Sequence, residues 1–226
     1  MPHDDPESTR NFIPRRRFLR GSALLALGAA TVPNRGLAAG VAPEHLEQWM
    51  ALFQNATPIS LETYTPVSLT ADEFETIGAA VDRLIPPDET GPGAADAGVH
   101  LFIDRSLKGP NAAMLPLYQA GAAALDASAG TGGFSAAASD KQDQMLSDAE
   151  AGKLADAPDG FFGLLLEHTR QGMFGDPVYG GNINFAGWDL IGYPGMKLLW
   201  SAEEQEVDVI VTPEHISVAK YGGTGW

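Results

Sequence analysis

Few side chains in this sequence are placed to do chemistry, and their spacing narrows the choice further. Glu167, His168 and Arg170 form the one group that suggests general acid–base work. On a helix these neighbours point in different directions, and no serine or cysteine nucleophile stands near them in a catalytic motif. His168 therefore reads as a structural histidine. His45, His100 and His215 are isolated, and no His-x-x-x-His pair is present to hold zinc. Gly180-Gly181 lacks the Gly-Lys-Ser/Thr of a phosphate loop and the strand–GxGxxG–helix setting of a dinucleotide site. Asp82, Asp88 and Asp104 fall at expected helix ends or polar faces, and Asp82 with Arg83 reads as surface or interface ion-pair material. Cysteine is absent. That excludes thiolate-held iron–sulfur clusters, Cys-x-x-Cys-His haem attachment and disulfides. No catalytic, cofactor-binding or metal-ligating residue is assigned to this chain.

The strongest local pattern lies at the N-terminus. Pro14 is followed by Arg15, Arg16, Arg17, Phe18, Leu19 and Arg20, then by a short run of Ala, Gly and Leu over 21–30. That run is too short to span a bilayer, which needs about 20 apolar residues. Pro33 breaks it, and small residues at 36–39 suit a signal peptidase, with cleavage expected after Ala38 or Ala39. Arg15, Arg16, Phe18 and Leu19 resemble the core of a twin-arginine export signal, with Pro14 in place of the usual serine or threonine. An arginine-rich general secretory signal and an uncleaved membrane anchor are the competing readings. The resemblance implies recognition by the twin-arginine translocon and a periplasmic location. It also implies a cargo that folds before export, either around its own cofactor or with a partner that holds one.

Removing residues 1–38 from the 226 leaves 188, enough for one domain with a sizeable core. The leader takes six of the 14 Lys+Arg and three of the 29 Asp+Glu, so 8 basic and 26 acidic residues remain, a net charge of −18. Such a surface repels nucleic acid and anionic lipid, and favours solubility or a basic patch on a protein partner.

Helices must position whatever this chain displays. The first is expected over 44–53, with Leu46, Trp49, Met50 and Phe53 on one face. After a Pro/Thr-rich connector, Thr70-x-x-Glu73 is a capping box, and Phe74, Ile77, Val81, Leu84 and Ile85 recur at helical spacing until Pro86-Pro87. Further helices are expected over 94–107, 114–127, 140–154 and 160–174, the last apolar enough to be central. Residues 130–138 read as a flexible connector and 175–195 as a Gly-, Asn- and aromatic-rich loop. Residues 197–211 suit either a helix started by Ser201-x-x-Glu204 or a strand. No βαβ alternation and no repeat appears, so the class is mostly α: a compact domain of five or six helices with a long loop near its C-terminal end. The organisation expected is a leader at 1–38, a helix and linker at 39–68, the helical domain at 69–200 and a tail at 201–226.

Two stretches carry a specific resemblance. One runs from Leu69-Thr70-Ala71-Asp72-Glu73-Phe74 through Val81-Asp82-Arg83-Leu84-Ile85-Pro86-Pro87-Asp88 to Phe102-Ile103-Asp104. The other is Gly180-Gly181, then Ala186-Gly187-Trp188 and Ile191-Gly192-Tyr193-Pro194-Gly195. With the leader, they resemble the gluconate 2-dehydrogenase subunit 3 family over roughly 65–200. The resemblance implies a small, non-catalytic subunit of a periplasmic, membrane-associated sugar or sugar-acid dehydrogenase. In such complexes a large flavoprotein subunit of the glucose–methanol–choline type holds FAD and oxidises the alcohol. A membrane-bound cytochrome c subunit holds haem c and passes electrons on. The small subunit brings the export signal and escorts the flavoprotein. The aromatics of the 175–195 loop then have two uses, capping the helical core or lining the partner interface. The reading adopted mixes them. Trp188 turns inward, within an interface group of Tyr179, Asn182, Asn184, Trp188 and Tyr193. A stand-alone periplasmic enzyme or small-ligand-binding protein is the alternative.

Overall fold

The computed structural model describes residues 61–195, 201–207 and 215–217. The leader residues Arg15, Arg16, Phe18, Leu19, Ala38 and Ala39 lie outside them, as do the helix expected over 44–53 and most of the tail. Among the described residues the chain forms six α-helices and no strand: α1 (Ala71–Leu84), α2 (Val99–Lys108), α3 (Leu115–Ala129), α4 (Ser139–Glu150), α5 (Phe161–Phe174) and α6 (Ala186–Ile191). The expectation of a mostly α domain holds.

The capping box opens α1 as the sequence predicts. Glu73 N–H donates to the Thr70 hydroxyl (3.3 Å), and Thr70 N–H donates to the Glu73 carboxylate (2.8 Å). The helix turns Ile77, Ala80 and Val81 into the core and ends before Pro86-Pro87. α2 starts five residues later than its apolar pattern suggests. Residues 94–98 are turns, and Gly98 is left-handed (φ 72°), which a helix cannot continue through. α5 is the central element, packed on α1, α2, α3 and α4 and carrying α6 at its C-terminal end. Its inner face presents Phe161, Leu165, His168 and Met173.

Two expectations need correction. Asp104 is not on a polar face. It is fully buried and accepts four hydrogen bonds, from Tyr64 Oη (2.6 Å) and the N–H groups of Val67 (2.7 Å), Ser68 (2.9 Å) and Leu69 (2.7 Å). A carboxylate ringed by donors in this way replaces its hydration shell with protein groups. Second, the connector 130–138 is an anchored turn. Phe134 is buried, its N–H donates to Asp126 Oδ1 (2.8 Å) and its carbonyl accepts from Gln142 Nε2 (2.8 Å). Asp126 Oδ1 also accepts from the Thr76 hydroxyl (2.8 Å), which ties the turn to α1. Arg83 forms an ion pair, as its reading has it, in a half-exposed two-point contact with Asp143 of α4 (2.7 and 2.8 Å).

His168 lies in the core beside Tyr118 of α3. Its Nδ1 lies 3.0 Å from the Tyr118 hydroxyl, with the two rings stacked 5.7 Å apart in the core. Burial lowers its pKa from 6.5 to about 4. His100 is lowered to about 4 by burial as well, partly opposed by Asp104. Both folded values lie below the unfolded one, so the unfolded chain binds more protons between them. The stabilisation from neutral imidazoles is complete above pH 6.5 and is lost as pH falls toward 4, at up to about 1.4 kcal/mol per pH unit for each ring. Urea denaturation across pH 7 to 4.5 should show this slope, and His168→Asn, which keeps a polar atom near Tyr118, should remove about half of it. An unchanged slope in that variant would place the acid sensitivity elsewhere.

Candidate functional site

The 175–195 segment is built by glycine and asparagine at positions where the chain must bend sharply or press against α5. Asn182 is left-handed (φ 50°), and its side chain staples the loop shut. Its Nδ2 donates to the Gly175 carbonyl (2.8 Å), while its Oδ1 accepts from Gly187 N–H (2.7 Å). Ile183 N–H donates to the Ala97 carbonyl (3.0 Å), which seats the loop on the start of α2. Asn184 and Phe185 are also left-handed (φ 55° and 60°), and α6 begins directly after them.

α6 crosses α5 at very short range. A Cβ on Gly187 would lie 1.7 Å from the Met173 carbonyl oxygen, so only glycine fits there. The next residue, Trp188, donates its indole N–H to the Phe174 carbonyl (3.0 Å), one of the α5 end carbonyls that lack a partner within the helix. Tyr193 packs edge-on against Trp188 (4.9 Å), and Phe185 lies tilted against the same indole (5.4 Å).

The result is a platform packed closely on α5 that leaves large side chains exposed. Tyr179, Ile191 and Tyr193 are 39%, 50% and 42% exposed, and Asn184 is exposed among them. Asn182 (0%) and Trp188 (3%) are interior. Trp188 turns inward as the sequence reading has it, and of the expected interface group Asn182 is the one corrected: it is buried and shapes the platform. Ile191 was missed, because an isolated isoleucine in a Gly-rich stretch gives no sign of which way it faces.

The acid–base group does not converge. Glu167 is exposed and accepts from Gln171 Nε2 (3.0 Å), whereas His168 points into the core. Among the described residues no group of three or more His, Cys, Asp or Glu is placed to hold a metal ion. Among them, too, no helix is long and apolar enough to cross a membrane.

The sequence pattern of the family described as gluconate 2-dehydrogenase subunit 3 matches residues 71–195, more than half of the chain. The chain belongs to the gluconate 2-dehydrogenase subunit 3 family. That makes it an accessory component of a multi-subunit dehydrogenase. No curated protein and no solved structure matches it. The subunit 3 match runs from the first residue of α1 to Gly195, so it takes in all six helices and the platform. Residues 215–217 lie beyond it yet touch the platform. His215 Nε2 is 2.7 Å from Asp189 Oδ1, and the His215 ring stacks on Phe185 at 4.9 Å. In this subunit 3 chain His215 is therefore not the isolated residue it seems from sequence. Its partner stands 26 residues away, too far for any local pattern to show.

Proposed function

We propose that this chain is the non-catalytic small subunit of a periplasmic, membrane-associated dehydrogenase acting on sugars or sugar acids. It carries the twin-arginine signal, and it escorts and stabilises a large subunit of the glucose–methanol–choline type that holds FAD. A cytochrome c subunit with haem c completes the electron path. The observation that carries this reading is the platform within the family-matched stretch: a loop stapled by Asn182 that exposes Tyr179, Ile191 and Tyr193. Large, ordered side chains at a rim give contact area at small entropic loss, which suits protein docking. The sequence agrees, since a cysteine-free chain has no thiolate route for electrons.

Co-expression with the large subunit tests it. The two chains should co-purify, and Ile191→Ala with Tyr193→Ala should weaken the complex at least tenfold while lowering the melting temperature by no more than about 5 °C, the share of the Tyr193–Trp188 ring contact. Deleting residues 1–38 should leave the flavoprotein in the cytoplasm. Independent export of the flavoprotein, or no association, would overturn the proposal.

A further inference from the structure

The described part of the C-terminal segment contacts the platform at its start, middle and end. Ser217 Oγ donates to Asp176 Oδ1, at the entry to the loop. His215 meets Asp189 on α6. Ile216 forms a parallel bridge with Gly195, at the exit, where a Cβ on Gly195 would come within 2.5 Å of Ile216 N. Three contacts by three successive residues close a loop of about twenty residues on itself.

Backbone strain collects at the same place. Five non-glycine residues in the described part of the chain have positive φ, and four of them are Asn182, Asn184, Phe185 and His215. Asparagine and, to a lesser degree, histidine tolerate that conformation, but a phenylalanine held there is strained. Phe185 and His215 are also stacked on one another, nearly parallel at 8°. Each holds the other in a conformation that neither favours alone. Asp176, Asp189 and Gly195 lie inside the family-matched stretch, and the residues that grip them lie outside it.

We infer that residues 215–217 are a clasp that fixes the 175–195 loop in its partner-binding shape, with His215 as the positioning residue. Released, Phe185 can return to negative φ, which turns the start of α6 and shifts the Ile191–Tyr193 rim. The clasp thus controls the docking competence of the platform, and in that respect it rests on the function proposed above.

Hydrogen exchange of the full chain, alone and with its large subunit, tests this. Asp189→Ala and His215→Asn each remove the polar contact, and the asparagine keeps a residue suited to positive φ. In both, the amides of Ile183, Gly187 and Tyr193 should exchange at least tenfold faster, while those of 101–107 in α2 stay unchanged. Affinity for the large subunit should fall at least tenfold. His215→Phe keeps the stacking and should restore part of both effects. Unchanged exchange at 183–193 would overturn the clasp. Faster exchange with unaltered affinity would overturn its control of docking. A large subunit that fails to bind even the unaltered chain would overturn the docking reading, and the exchange result would still decide the clasp.

Discussion

Alanine at Gly187 is expected to unseat α6 and lower the melting temperature by roughly 10 °C, equivalent to about 3 kcal/mol. The added Cβ would sit 1.7 Å from the Met173 carbonyl oxygen and 2.7 Å from its carbon. Both atoms belong to the backbone of the central helix α5, so neither can swing away as a side chain would. Relief requires α6 to lift by roughly 1.5 Å to reach ordinary contact distance. That movement breaks two bonds at once: Gly187 N–H to Asn182 Oδ1, and Trp188 Nε1 to the Phe174 carbonyl. The first leaves a buried amide oxygen and a buried N–H unsatisfied, which adds to the steric term. Thermal denaturation gives the stability, and the exchange rate of the Trp188 indole proton reports the docking of α6 directly. A Gly187→Ala protein that melts within 1 °C of the original and keeps that proton protected would show that α6 does not pack as closely as described.

The second large effect is at Asp104. Asparagine there should cost about 3–5 kcal/mol, a large part of the stability of an ordinary domain. Oδ1 accepts from Ser68 and Leu69 N–H, and Oδ2 accepts from Val67 N–H and the Tyr64 hydroxyl. With the amide nitrogen turned toward Val67 and Tyr64, the Tyr64 hydroxyl can accept from it, but the Val67 N–H faces a donor and loses its bond, and the other three bonds lose the help of charge. Tyr64→Phe makes the useful contrast. It removes one hydroxyl and leaves three backbone bonds intact, so it should cost only about 1 kcal/mol. Urea denaturation of the two variants separates them, and equal losses would mean that the backbone bonds contribute little.

How much of this could be read from the residues alone depends on how local the cause is. α1 is announced by Thr70 and Glu73 and closed by Pro86-Pro87, all within the helix or beside it, so its limits were legible. α5 was legible from its apolar content, and so was the inward turn of His168. α6 was not, because six residues with a glycine among them give no periodicity, and what holds it is a close crossing of α5 that only Gly187 permits. Asp104 misled for a related reason. In Phe102-Ile103-Asp104-Arg105 it looks like the polar side of an amphipathic helix, and three of its four partners are backbone amides, which have no side-chain signature. Phe134 was hidden in the same way, by small residues around it that suggest slack. The platform's composition was visible, but which of its residues face outward was decided by Asn182 adopting a left-handed backbone, and no neighbour forces that.

The bonds to Asp104 also bear on where a self-sufficient piece of this polypeptide can begin. The family-matched stretch starts at residue 71, but all four donors to that carboxylate lie upstream, between Tyr64 and Leu69. A fragment trimmed to the matched stretch would keep the buried acid and discard everything that satisfies it. The smallest autonomous folding unit therefore starts no later than Tyr64. A graft of the six helices onto another protein has to bring those extended residues along.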